Sequence, residues 1–175
     1  MLFFQIFTTL PLFHHEHFGL SEFETGLLIS LNGILIFLFE MPLVSFLERK
    51  QINRIKIVFW GAFLMAISFY VLLLDSWGGI LIIGIIIITF GEIFSFPFSN
   101  AFAMGRAPKG QEGKYMALYT MSFSLAHIVS SKLGLEIIGY FGYGVNWFVM
   151  GSFGIVAMLF CVWLQRLLKE ENRLN

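Results

Sequence analysis

The residues best able to do chemistry are polar side chains set inside long apolar stretches. Glu92 is the only charged residue in the segment 80–104. Ser95, Ser99 and Asn100 follow at i+3, i+7 and i+8, which predicts one polar stripe along a helix. An ionisable group at membrane depth costs about 3 kcal/mol or more and usually faces a bundle interior or cavity. Glu92 could therefore carry a proton, or it could only hydrogen-bond a neighbouring helix and set its packing.

A second polar pair occurs earlier in the chain, where Asn32 and Glu40 are eight residues apart and share nearly the same helix face. Glu40 is close to a helix end, so a packing or snorkelling role and a coupling role are both open. We take six residues as candidates for a substrate or proton pathway: Glu92, Asn100, His127, Glu40, Ser99 and Asn32.

His127 belongs to a third stripe with Thr120, Ser124 and Ser131. It could donate to a nearby carbonyl group or change its protonation state. Lys132 and Glu136 are four residues apart, which predicts a structural ion pair that lowers the cost of both charges.

Other chemistries find little support in the sequence. His14, His15 and His17 are potential metal ligands, but adjacent histidines in an outer loop have no fixed geometry, so we predict no metal site. Cys161 is the only cysteine, which excludes an intrachain disulfide. Ser124 and His127 lack a third orienting group, and we predict neither an enzyme nor a bound cofactor.

The surrounding elements follow from composition. The chain of 175 residues is 58% hydrophobic and only 13% charged, whereas soluble domains carry about 25% charged residues. A bilayer core about 30 Å thick needs roughly 20 apolar residues per helix. Such spans, the first of them short, are predicted at approximately 1–13, 25–46, 57–74, 80–104, 116–138 and 146–165. The fold class is therefore all-α, a multi-pass transmembrane bundle forming a single domain, 1–175.

The basic residues predict the orientation of these spans. Ten of the eleven Lys and Arg residues fall into three regions, near 49–56, 106–114 and 166–173, and the exception is Lys132. If each span crosses the membrane once, these regions lie on the same side of it. The ionisable residues of the opposite loops are only His and acidic residues such as Asp75. The positive-inside rule then places the C-terminus in the cytoplasm of a cell-membrane protein. The net charge of zero does not favour nucleic acid as a partner.

Three stretches carry a resemblance to a known family. They are "FFQIFTTLPLF…FGLSEFETGLLISLNGILIFLFEMPL", "GEIFSFPFSNAFAMGRAPKGQEGKYMALY" and "GYFGYGVNWFVMGSFGIVAML". The second is the most specific, with Gly91, Glu92, Pro97, Ala107 and Pro108 at characteristic positions. Together they resemble the C-terminal six-helix half of a major facilitator superfamily transporter, in particular its bacterial drug-efflux-like members.

The resemblance implies two inverted three-helix repeats and a central pathway between two six-helix halves. It also implies alternating access and proton-coupled transport of a small molecule, with efflux as the direction. The missing wall would come from an absent N-terminal half, a second copy or a partner chain, and we expect the sequence to be a fragment. A truncated or structural membrane subunit without transport activity is the alternative. The substrate and the coupling ion are not encoded in any motif.

Overall fold

The computed structural model describes residues 1–74 and 77–174, with side chains described up to residue 171. All regular structure in this part is helical, and the elements follow in chain order. They are a 3₁₀ helix Leu2–Ile6, α1 Thr9–Phe18, α2 Glu22–Arg49, α3 Arg54–Leu72, α4 Gly79–Gly105 and α5 Glu112–Leu174. The all-α prediction is confirmed. Asp75, assigned above to an outer loop, lies outside the described residues.

Four helices, α2 to α5, are long and apolar enough to cross a membrane. The helix count differs from the predicted six at both ends of the chain. The predicted first span is divided into the 3₁₀ helix and α1. The spans 116–138 and 146–165 both fall within α5, which is broken only at Gly142, where φ is 82° and ψ is 174°. Glycine tolerates this left-handed φ, so one residue suffices for the break and no loop is needed.

Local signals explain where the helices begin. Ser21 forms a capping box at the start of α2, because its hydroxyl accepts from the Glu24 amide and the Glu24 carboxylate accepts from the Ser21 amide. The Asn53 side chain caps α3 in a similar way. α4 continues unbroken through Pro97 and α2 through Pro42.

The core forms where α3, α4 and α5 pack together. Phe69, Leu81, Trp147 and Met150 are buried there, and Phe13 of α1 packs edge-on against Trp147. Gly61 of α3 faces Gly91 of α4, so the two backbones approach closely. By contrast, only Thr25 and Asn32 of α2 are buried. The remaining surface of α2 is largely apolar and exposed, as suits a helix bordered by lipid.

We expect Gly61→Ala to destabilise the bundle. An added methyl group would lie 2.7 Å from the Gly91 carbonyl oxygen and 2.9 Å from the Ser95 amide nitrogen, so α3 and α4 must separate. Overpacking of this kind costs about 1–3 kcal/mol, which a thermal melt in detergent will detect. Gly33→Ala on α2 is the matched control, because its methyl group would meet nothing within 4 Å. Equal melting temperatures for the two variants would contradict the close helix crossing.

Candidate functional site

Glu92 is buried in the interface between α2 and α4. Its side chain is 2% exposed, and that of Asn32 is 5% exposed. The Asn32 amide nitrogen donates to both carboxylate oxygens of Glu92, over 3.3 Å to Oε1 and 3.2 Å to Oε2. The same nitrogen lies 2.9 Å from the Thr89 hydroxyl oxygen. One amide therefore joins a carboxylate and a hydroxyl across two helices.

The environment of Glu92 contains no positive charge from the described residues. Among the described residues, the ion pairs are Arg106–Glu171 and Lys132–Glu136, and neither involves Glu92. Thr89 donates its own hydroxyl proton to the Ile85 carbonyl oxygen at 2.6 Å, so it is fixed as an acceptor for Asn32. A buried carboxylate supported by one neutral amide is well suited to bind a proton or another small cation.

A large open cavity of about 860 Å³ lies further along the bundle, and its lining on α4 begins at Phe96, one helical turn after Glu92. Its polar lining residues are Glu40 of α2, Arg54 of α3 and Asn100 of α4. Arg54 donates to the Ala101 carbonyl oxygen at 3.0 Å and so satisfies part of the C-terminal end of α4. Glu40 accepts no hydrogen bond and forms no ion pair with a described residue, which leaves its carboxylate available to a ligand.

Aromatic rings form one wall of the cavity. Phe96 packs edge-on against Phe3, with ring centroids 5.0 Å apart, and Phe123 lies 5.4 Å from Phe96 and 5.1 Å from Tyr119. The Tyr119 hydroxyl and the Ser99 hydroxyl are 2.9 Å apart. An aromatic wall suits flat apolar or cationic ligands.

The six predicted pathway residues thus separate into three groups. Glu92 and Asn32 meet in the buried contact. Asn100 and Glu40 line the cavity, and Ser99 borders it through Tyr119. His127 is exposed on α5, where its ring stacks on Phe4 at 4.5 Å. The geometry brings His127 into contact with neither Glu92 nor the cavity lining.

The predicted pair of Lys132 and Glu136 forms, with 3.9 Å between its charged atoms. Both side chains are more than half exposed, so the pair lies on the surface of α5 and contributes little to stability. A better-placed ion pair joins the basic end of the bundle, where Arg106 contacts both carboxylate oxygens of Glu171 at 3.1 Å. This hydrogen bond raises the pKa of Arg106 above its ordinary value.

The sequence reasoning missed several residues of the site. Thr89 is three positions before Glu92, so the helical spacing that found Ser95 could also have found Thr89. Tyr119 and Arg54 carry no such signal, because their roles depend on which helices become neighbours. A second buried polar cluster, which includes Gln5 and Thr9, lies outside this site.

This second cluster connects the start of the chain to α5. The Gln5 amide nitrogen donates to the Ser130 hydroxyl at 2.7 Å and to the Ser130 carbonyl oxygen at 2.9 Å. Its amide oxygen accepts from Thr9 at 2.6 Å and from Asn146 at 3.4 Å. All four side chains are fully buried, so the cluster fixes α1 against both parts of α5.

The three histidines of the predicted outer loop belong to α1 and its end. His14 is fully buried, the His15 ring lies 3.0 Å from the Leu20 carbonyl oxygen, and His17 stacks on Phe13. Within residues 1–74 and 77–174, no group of three His, Cys, Asp or Glu side chains is placed to hold a metal ion.

Comparison with known proteins adds the family context. The family model for the Major Facilitator Superfamily matches residues 1–175. A Na(+), Li(+), K(+)/H(+) antiporter of Planococcus maritimus is 20% identical over 155 residues, which is 89% of this chain and 36% of that protein. The chain thus spans about a third of the length of this curated relative. No solved structure matches.

We expect Asn32→Ala to destabilise the α2–α4 contact, because it removes the amide that supports the buried carboxylate. A hydrogen bond to a charged group contributes about 1.5–3 kcal/mol, which a melt in detergent will measure. Ser30→Ala is the control, since its exposed hydroxyl bonds only the Gly26 carbonyl oxygen of the same helix. In a Glu92→Gln background the loss should shrink, and an undiminished loss would show that Asn32 acts elsewhere.

Proposed function

The chain belongs to the Major Facilitator Superfamily, and we propose that it forms one half of a proton-coupled secondary transporter that moves a small molecule by alternating access. Four of its helices are apolar and long enough to span a bilayer, which supports a multi-pass membrane protein. Its family supports a transporter rather than an enzyme. The observation that carries the proposal is the buried Glu92 carboxylate, which pairs with no described cation and lies one helical turn before Phe96, where the lining of an open cavity begins.

The proton cycle would act through the Asn32 contact. When Glu92 is charged, the Asn32 amide donates to both of its oxygens. When Glu92 holds a proton, one oxygen becomes a donor, so the amide keeps its hydrogen bond only to the other oxygen and loses the attraction of the charge. Because Asn32 is one of only two buried residues of α2, this change alters how firmly α2 is held against α4.

The same two helices connect the proton site to the substrate cavity. Glu40 lies eight residues after Asn32 on α2, and Asn100 lies eight residues after Glu92 on α4. Both line the cavity. A shift of α2 against α4 would therefore move these two cavity residues relative to each other, which is the kind of coupling that secondary transport requires.

The cavity chemistry favours an amphipathic organic cation as substrate. Aromatic rings attract cations through their faces, and the Glu40 carboxylate supplies a charge without a partner in the described part of the chain. The resemblance to drug-efflux-like members supports export as the direction. The relative from Planococcus maritimus is named for proton antiport, which supports protons as the coupling ion.

The cavity is open on one side, so we propose that a further six-helix half completes it. That half could be another segment of a longer chain, a second copy or a separate partner. Within this half, the two helical parts of α5 would complete two inverted three-helix repeats around the cavity. The basic loops and the C-terminal end would face the cytoplasm of the cell membrane. A structural subunit without transport activity is the alternative.

Glu92→Gln should abolish proton-driven flux in vesicles that contain the complete transporter. Gln keeps the shape of the side chain but cannot carry a proton, so uptake of ethidium into vesicles with an imposed pH gradient should stop. Exchange of ethidium without a gradient should continue. Glu136→Gln is the control, because that carboxylate lies in an exposed pair. Full gradient-driven flux in the Glu92 variant would remove this residue from coupling, and no flux in the unmodified protein would favour the structural subunit.

A second candidate function is the exchange of an alkali-metal cation for protons at the same carboxylate. The carboxylate oxygens of Glu92, the Thr89 hydroxyl and the Asn32 side-chain oxygen, once the amide turns, would give a set of hard oxygen ligands. The antiporter relative is named for Na⁺, Li⁺ and K⁺. Neutral and carboxylate oxygens in one buried site are consistent with a single cation that competes with the proton.

Adding NaCl or LiCl to acid-loaded vesicles should then release protons, read with a pH-sensitive dye, whereas choline chloride should not. Thr89→Val removes one oxygen and should raise the half-saturating cation concentration about tenfold, which corresponds to about 1.4 kcal/mol. Ser99→Ala serves as the control, because that hydroxyl bonds Tyr119 outside the carboxylate site. An unchanged cation dependence in the Thr89 variant would exclude this site for alkali cations.

A further inference from the structure

An apolar groove of about 490 Å³ runs between the first half of α2 and the beginning of α4. It lies at the end of the bundle opposite the basic loops. The groove is bounded by apolar side chains from three helices, with one acidic residue at its rim. These residues include Phe18 of α1, Leu27 and Leu31 of α2, Leu81 and Ile82 of α4, and the acidic Glu24.

The groove begins next to the contact that holds α2 against α4. Leu31 lies one residue before Asn32, and Leu28 lies one helical turn before Asn32. Both leucines line the groove. An empty groove would deprive these side chains of packing partners on one side. In a bilayer, the occupant that fits an apolar groove at the helix surface is a hydrocarbon chain. An acyl chain there would extend the α2–α4 interface beyond Asn32.

Glu24 gives the rim of the groove a negative charge. Its Oε2 accepts hydrogen bonds from the Ser21 amide at 2.8 Å and the Ser21 hydroxyl at 2.7 Å. Its Oε1 accepts none from a described residue, and the side chain is exposed. No Lys or Arg occurs in residues 1–48 or 57–105, the segments that contain the whole lining. The carboxylate therefore has no Lys or Arg neighbour on the helices that form the groove.

We propose that this groove binds a phospholipid with an ethanolamine head group, whose acyl chain fills the apolar walls and whose ammonium group donates to Glu24. A primary ammonium group can form a charge-assisted hydrogen bond with a carboxylate. The quaternary ammonium group of choline has no N–H to donate, and phosphatidylglycerol has no ammonium group to balance its phosphate, so it would leave a net negative charge beside Glu24. The bound lipid would stabilise α2 where the protein itself provides few contacts.

The test compares the complete transporter in nanodiscs of phosphatidylethanolamine, phosphatidylcholine or phosphatidylglycerol, each with the same acyl chains. Ligand binding to the folded state raises the melting temperature, and we expect a rise of about 2–4 °C with the ethanolamine lipid. Native mass spectrometry should detect a retained ethanolamine lipid. The readouts are thermal and mass-based, so they do not depend on whether Glu92 couples transport.

Glu24→Gln is the informative variant, because Gln at this position retains the capping box while it removes the charge. It should abolish the preference for ethanolamine over choline. Glu22→Gln, in the same turn but outside the groove lining, should leave that preference intact. Leu27→Trp should reduce lipid retention by filling the groove.

Three results would overturn the proposal. The first is equal melting temperatures in ethanolamine and choline lipids. The second is a lipid preference that persists in Glu24→Gln, which would indicate a general property of the bilayer. The third is unchanged lipid retention in Leu27→Trp, which would place the lipid elsewhere on the surface.

Discussion

The contact between Asn32 and Glu92 is the interaction on which the arrangement of this half-bundle depends. A carboxylate that is 2% exposed in an apolar helix interface needs a donor, and the only described one is a single amide from the neighbouring helix. Such a contact is strong enough to position α2 and weak enough to change when Glu92 changes charge. α3 and α4, by contrast, are held by close backbone packing at Gly61 and Gly91, which offers no comparable means of adjustment.

This difference divides the bundle into a fixed part and an adjustable part. The buried cluster around Gln5 ties α1 to α5, and aromatic packing around Trp147 ties both to α3. α2 lies outside this core, with most of its surface exposed. It nevertheless contributes Glu40 to the cavity. In the proposed transport cycle, a helix with only two buried residues that also lines the cavity is the natural element to move.

The surrounding lipid completes this picture. Because α2 makes few contacts with protein, its position depends on whatever fills the surface beside it, whether acyl chains or the proposed second half. The apolar groove next to Glu24 and the open side of the aromatic cavity are the two surfaces where this dependence is greatest. Both are formed partly by α2, so a displacement of that helix would reach Glu92 through Asn32.

The sequence by itself determined the properties that depend on local composition. Long apolar runs required membrane helices, Ser21 and Glu24 set the start of α2, and the lone carboxylate at Glu92 identified a buried polar site. Helical spacing also predicted the pair of Lys132 and Glu136. Only the tertiary structure decided that Asn32 meets Glu92, that Tyr119 meets Ser99, that His127 lies exposed against Phe4, and that one residue, Gly142, separates the last two spans. These outcomes depend on how each helix rotates and crosses its neighbours. That choice is made by side-chain packing between segments far apart in the chain, which no local pattern records.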